Sequence, residues 1–262
     1  MKSGLGLYSP ESIVWQVHSD PSMIVGGIRA LLQQALHPVA MDGVAKNSDF
    51  RDDAWGRLQR TGDYVSTLSF APIAEAEALA ARVRSVHTRL GLGDPHLLLW
   101  VHMSLVDSFL DVAARSGMQL GPQDRDQYVQ EMVDFARLVG IAVDDVPTNI
   151  HELKVYFENI APELRASDDA KRAALFLAVP PMPTAIRFAT PAAPAWASLS
   201  ALATASLPQW ARKLYAIPVL PGHDAVTNAA LVATRSTLKL LPENIFQPPM
   251  LKEAKIRWGI AS

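Results

Sequence analysis

Residues 96–113, HLLLWVHMSLVDSFLDVA, are apolar almost all round. A helix of that kind has no face to give to water, so other helices must enclose it. The chain is therefore expected to fold around a central buried helix over Leu97–Val112. Within that helix His102 shares a face with Leu98, Val106 and Phe109. A buried imidazole needs a hydrogen bond or a metal, because leaving its nitrogen unpaired costs ~1–3 kcal/mol. Asp107 and Asp111, four apart and close to Ser104 and Ser108, form a polar seam on the same helix. Paired carboxylates there could hold a metal, but the His-Glu companion motif of such sites is missing. His102, Ser104, Asp107 and Asp111 interrupt the run, so it is expected to be too short and too polar to span a bilayer.

The flanking segments carry helical periodicity as well. Ile24, Ile28, Leu31, Leu32, Ala35 and Leu36 share the spacing of one helix, and Gly26-Gly27 permits a close approach to a neighbour. His37-Pro38 closes that helix, with His37 expected to face its unpaired carbonyls. IVWQVHS, between Ser9-Pro10 and Asp20-Pro21, reads equally as a strand or a helical turn. A short helix spans Val39–Ala45. Beyond residue 121 the pattern gives helices opened by Gly121-Pro122, by Thr148 or Asn149, and by Ser167-Asp168-Asp169. Residues 179–195 read as a Pro-rich wrapping loop. Another long helix starts at His223-Asp224 and stops at Pro242. The tail, 242–262, shows no regular period; it either covers the core edge or crosses to a second copy in a homo-oligomer. All of this predicts an all-α fold, one helical domain over residues 1–262.

Between these elements, RLQRTGDYVSTLSFAPIAEAEALAARVRSVHTRL, residues 57–90, reads as two helices joined at Ala71-Pro72. Arg57, Arg60 and Thr61 crowd one face of the first, and Tyr64 extends the row. Two guanidiniums and a hydroxyl beside an apolar stripe suit an anion or ligand clamp. The same row also suits a solvated face, the commoner fate of exposed charge. On the second helix Leu79, Val83, Val86 and Leu90 form a stripe flanked by His87, with Arg84 close before it. Spacing alone leaves His87 and His102 even as candidate metal ligands.

Composition excludes several classes. The chain has 262 residues, a net charge of −2 and no Cys. Disulfides, thiolate haem ligation, Cys-zinc sites and a thiol nucleophile are ruled out, and no basic excess invites nucleic acid. Phosphate-binding GxxxxGK[ST] and GxGxxG loops, the GxSxG elbow and the HExxH helix are missing. None of the seven His forms an i, i+4 pair. No apolar leader follows Met1-Lys2, so a soluble cytoplasmic protein is expected.

The run GGIRALLQQALHPVAMDGVAKNSDFRDDAWGRLQRTGDYV, then RVRSVHTRLG, then LLLWVHMSLVDSF, resembles bacterial proteins related to latex-clearing rubber oxygenase and the fungal MpaB-type oxygenases. The resemblance covers residues 8–160 well and the remainder loosely. It implies a globin-like helical domain carrying haem b. It implies that Arg57 and Thr61 are the Arg and Thr four apart of the family pattern. In the Arg-x-x-His motif it matches Arg84 and His87, which makes His87 the axial iron ligand. Arg84 is then expected to pair with a haem propionate.

Three departures concern the distal side and the substrate. Rubber-cleaving members carry Lys just before the Thr, where this chain has Arg60, which stays protonated and cannot ligate iron. Gly91 stands where many relatives have a second Arg, and Asn47-Ser48 where they read His-Ser. Two functional classes follow. One is a haem-dependent oxygenase that binds O2 and a small hydrophobic substrate, such as an isoprenoid or other alkene. The other is a non-catalytic binder of haem or of a hydrophobic ligand.

Overall fold

The computed structural model describes residues 4–47, 54–179, 190–242 and 247–260, the side chains of 47, 54, 55 and 57 excepted. Every regular element among the described residues is helical, so the fold is all-α. In chain order the helices are α1 (Ile13–His18), α2 (Met23–Gln34), α3 (Pro38–Asn47), α4 (Ala54–Phe70), α5 (Ile73–Arg89), α6 (Pro95–Arg115), α7 (Pro122–Val139), α8 (Ile150–Ile160) and α9 (Asp168–Ala178). They continue with α10 (Ala192–Ser206), α11 (Gln209–Leu214), α12 (His223–Leu240) and α13 (Pro249–Arg257).

Local chemistry sets many of the boundaries. The Ser12, Asp94, Asn149 and Ser167 side chains accept from backbone N–H groups in the first turns of α1, α6, α8 and α9. Each satisfies a donor that the helix itself cannot pair. Pro95 and Pro122 open α6 and α7, where a missing N–H costs nothing. Gly140, at φ 102°, ends α7 in the left-handed region that favours glycine.

Helix α6 lies at the centre, packed most extensively on α2. Trp100, Met103, Val106, Val112 and Ala113 are fully enclosed in one continuous core. Gly26 of α2 makes this crossing close, since a Cβ there would lie 3.1 Å from Phe109 Cδ1. The neighbouring Gly27 would meet nothing within 4 Å.

The polar seam of α6 also belongs to this crossing. Arg29, 2 % exposed, donates from Nη1 to Asp107 at 2.7 Å, Ser108 Oγ at 2.8 Å and Gln33 Oε1 at 3.2 Å. Its Nη2 lies 3.4 Å from Asp111, and its Nε donates to the Ser206 carbonyl at 3.2 Å. The seam therefore holds a buried guanidinium rather than a metal.

Of the two readings left open for IVWQVHS, the helical one holds. Several expectations need correcting. His37 does not face carbonyls at the end of α2: its Nδ1 accepts from Ala40 N–H in the first turn of α3 at 3.4 Å. On α5 the fully buried line is Ala76 and Ala80, one step round from the expected stripe, and Leu90 is 44 % exposed. Small residues win there because α5 has to pack against both α4 and α7. The tail contains a helix, α13, tied back by Arg257, whose Nε donates to Leu5 O at 3.0 Å and whose Nη2 donates to Phe70 O. Helix α6 runs to 21 residues and is, by length and composition alone, long and apolar enough to cross a membrane. Of its most apolar window 61 % is buried inside the protein, as suits a core helix meeting the same criteria. Most of the proposed wrapping loop, 180–189, lies outside the described residues, as do 48–53 with Ser48.

The two glycines of α2 should behave oppositely. Gly26→Val should destabilise by about 1–3 kcal/mol through overpacking against Phe109, whereas Gly27→Ala should stabilise by about 0.5–1 kcal/mol. Urea denaturation of the two variants checks the contrast; equal effects would contradict the close α2–α6 crossing.

Candidate functional site: a large cavity lined by three histidines

A cavity of about 1420 Å³ opens among α1, α2, α4, α5, α6 and α7, with contributions from Trp196 and from α12 and α13. It exceeds the ~300–1,000 Å³ typical of pockets for drug-sized ligands. Ile24, Ile28, Leu31, Val83, Leu105 and Phe109 supply apolar wall, and Phe135 and Val139 close it from α7. Three histidines, His18, His87 and His102, reach it from three helices.

The three imidazoles differ in chemistry. His18 is satisfied on both sides: Nδ1 lies 2.7 Å from Ser69 Oγ and Nε2 lies 3.0 Å from Tyr128 Oη. Ser69 spends its one hydroxyl hydrogen on the Val65 carbonyl at 2.7 Å. The proton of His18 is therefore assigned to Nδ1, and Tyr128 donates to Nε2. Burial, aided by nearby His102, lowers the His18 pKa to about 3.

His102 is 3 % exposed and stacks on Phe135, with ring centroids 5.7 Å apart and planes at 27°. Neither of its nitrogens makes a geometrically sound hydrogen bond, and both are covered by neighbouring atoms. Burial lowers its pKa to about 4, against a weaker upward pull from the Met132 backbone. Such an orphaned imidazole, at the wall of a cavity, carries an unmet demand for a polar partner.

His87 is half-buried, and its imidazole makes no hydrogen bond to a described residue. Desolvation lowers its pKa, which favours the neutral ring. Unlike His102, it is accessible from the cavity.

Arg60 and Thr61 also line the cavity, from exposed positions at its mouth, and Tyr64 continues the row inward to an edge contact with Phe135. The Arg57 side chain, which should begin that row, lies outside the described residues. Arg84 is not part of the lining. It donates from Nη1 to the Leu138 carbonyl and lies over Gly140, where a Cβ would come 2.7 Å from Arg84 Cδ. In this structure Arg84 joins α5 to the end of α7, a different partner from the expected propionate.

Asp20 borders the cavity on its far side and is salt-bridged to Arg235 at 2.8 Å and Lys239 at 3.4 Å. Burial pushes its carboxyl up, but the hydrogen bonds from Ser22 and Arg235 outweigh that and hold it below the usual range.

Residues 15–237 match the family model described as the ER-bound oxygenase mpaB/B′ and rubber oxygenase catalytic domain. The chain belongs to this family. No curated protein and no solved structure matches it. The family is one of oxygenase catalytic domains, and the match takes in both Arg84-x-x-His87 and the whole of α6. The family motifs led to His87 and Thr61, and the shared helical face to Arg60. They gave no hint of His18 or Asp20, whose partners Tyr128 and Arg235 lie more than a hundred residues away in sequence. The i, i+3 spacing of Trp15 and His18 was the one available signal, and both side chains do meet the 69–70 end of α4.

The depressed pKa values of His18 and His102 set a pH dependence. Unfolded, each titrates near 6.5; folded, each stays neutral down to about 3 and about 4. Both therefore contribute stability that is complete above pH 6.5 and is lost as pH falls towards those folded values. Each pH unit in that window should remove up to about 1.4 kcal/mol per histidine. Urea midpoints measured at pH 7, 6 and 5 should fall progressively, and His18→Gln should flatten the slope. A midpoint independent of pH would contradict the buried neutral rings.

Proposed function

We propose that this chain is a haem b-dependent oxygenase that uses O2 on a small hydrophobic, alkene-containing substrate such as an isoprenoid, with His87 as the residue that would hold the iron. The observation that carries the reading is the pairing of a large, mainly apolar cavity with an accessible, unpartnered, neutral imidazole at the family-motif position. A ligating histidine must be neutral and must present an open lone pair. His87 meets both needs. His102 meets the first, but its nitrogens are covered, so it could reach an iron only through a shift of the wall.

The residues fit a bound haem in further ways. The orphaned His102 offers a polar group that an enclosed ligand would satisfy after the same shift of the wall, and Phe135 stacks on its ring. Arg60 and Thr61 place a cation and a hydroxyl at the mouth, suited to an anionic ligand edge. Arg84 acts as a positioning residue, holding the last turns of α5, and with them His87, against α7. When bound, haem supplies O2 activation and the redox chemistry, while the protein supplies orientation and a water-poor, apolar enclosure.

A second reading, a non-catalytic haem or hydrophobic-ligand binder, is favoured by Arg60, which cannot take the iron-side role of the Lys that rubber-cleaving members carry. Oxygen consumption by the ferrous protein with an alkene present separates the two.

Haem titration of the purified protein should give a Soret band that His87→Ala abolishes and His102→Ala retains with an altered position. Loss of the band only in His102→Ala would transfer the ligand assignment to α6. If the protein takes up no haem, or neither variant changes the spectrum, the oxygenase reading falls and the hydrophobic-ligand binder replaces it.

A further inference from the structure

A second histidine cluster lies outside the cavity. His37 follows α2 and precedes α3, His96 lies in the first turn of α6, and Glu163 ends the 3-10 turn Ala161–Glu163. The Nε2 atoms of His37 and His96 approach the same carboxylate oxygen, Glu163 Oε2, at 3.2 and 2.9 Å. All three atoms lie within 4.8 Å of one another. From these residues we propose a site for one divalent transition-metal ion of the zinc class.

The spacing is the first argument. Tetrahedral zinc with bonds of ~2.0–2.2 Å separates its ligand atoms by about 3.3 Å. Both histidine-to-carboxylate distances are within a few tenths of that, and the two histidine nitrogens lie within 4.8 Å of each other, with the His96 ring exposed. The donor set is the second argument. Two imidazoles and a carboxylate suit borderline ions such as Zn(II), Co(II) or Ni(II) rather than Ca(II) or Mg(II), which prefer oxygen.

Rigidity is the third. His37 is 3 % exposed and held against Trp100, with ring centroids 6.2 Å apart. Trp100 is anchored in turn by its Nε1 donating to Gln34 O at 2.9 Å. One ligand is thus fixed in the core, while His96 and Glu163 are about half-exposed and leave water the fourth position. Hydrogen bonding from His96, assisted by His37 and opposed by slight burial, holds the Glu163 carboxyl below its usual range, so it is ionised and ready to ligate.

The proton balance can be written out. His37 Nδ1 accepts from Ala40 N–H, so in the metal-free protein its proton sits on Nε2, directed at Glu163. Metal binding at Nε2 requires that proton to move to Nδ1, which releases the Ala40 amide. That hydrogen bond is long, 3.4 Å, and Ala40 is half-exposed, so water can take over the amide.

The experiment uses the full chain after chelator treatment. Zn(II) is titrated by calorimetry, and Co(II) by its visible d–d absorption. The expected result is one ion per chain, a raised Tm, and affinity lowered by more than about tenfold in both His96→Ala and Glu163→Ala, since a lost ligand should cost at least what a lost outer partner does. His151→Ala, an exposed histidine away from the cluster, should bind as the parent does. Absence of stoichiometric binding, or binding that survives both ligand substitutions, overturns the site. Neither result bears on the haem reading, which is followed by the Soret band.

Discussion

The buried guanidinium of Arg29 is the interaction on which the arrangement depends. Stripping a charge of water is expensive, and the cost is offset only where carboxylates and carbonyls meet it in good geometry. Here the partners come from α6 and from the end of α10: Asp107, Asp111, Ser108 and the Ser206 carbonyl. Sliding α2 by one turn on α6 would leave that charge uncompensated in the interior. The network therefore fixes the register of the closest helix pair. With the register fixed, Phe109 seats on Gly26, and Leu105 and His102 turn towards the cavity.

The cavity follows from that frame by subtraction. Helices α2 and α6 meet closely where glycine allows it and part where Ile24, Leu31 and Leu105 leave space. Helices α4, α5 and α7 then close the far side, with Arg84 tying α5 to the carbonyl end of α7. The three histidines sort by partner rather than by sequence. His18 is saturated by Ser69 and Tyr128, His102 is enclosed without a partner, and His87 is open. Of the three, only the last combines neutrality with access.

How much of this was legible in the sequence varies with the kind of signal. The central helix was plain because residues 96–113 are apolar on every side, a pattern a surface helix cannot carry. The starts of α8 and α9 were plain from Thr148-Asn149 and Ser167, because caps are local chemistry. Helix α13 was missed: PMLKEAKIR has a weak apolar face, and its placement rests on Arg257 reaching Leu5 and Phe70, distant in sequence. The buried face of α5 was misread because alanine carries little hydrophobic weight, yet small side chains are what a close two-sided packing selects. Of the site, the family motifs named His87 and Thr61, and helical spacing named Arg60. They could not show that Arg84 would find Leu138, and no spacing rule links His37 with a glutamate 126 residues on.

The return of α13 to the N-terminal region has a consequence for assembly. Gln247, Pro248 and Lys255 border the cavity, and Trp258 meets Trp15 edge-on, with centroids 6.4 Å apart. This wall follows every other wall element along the chain, so during synthesis the cavity stands with one side undocked until α13 emerges. A rigid, bulky guest would meet its widest doorway in that interval, before Arg257 closes onto Leu5 and Phe70. In the finished protein that latch closes this side, and what remains open is the mouth that Arg60 and Thr61 border.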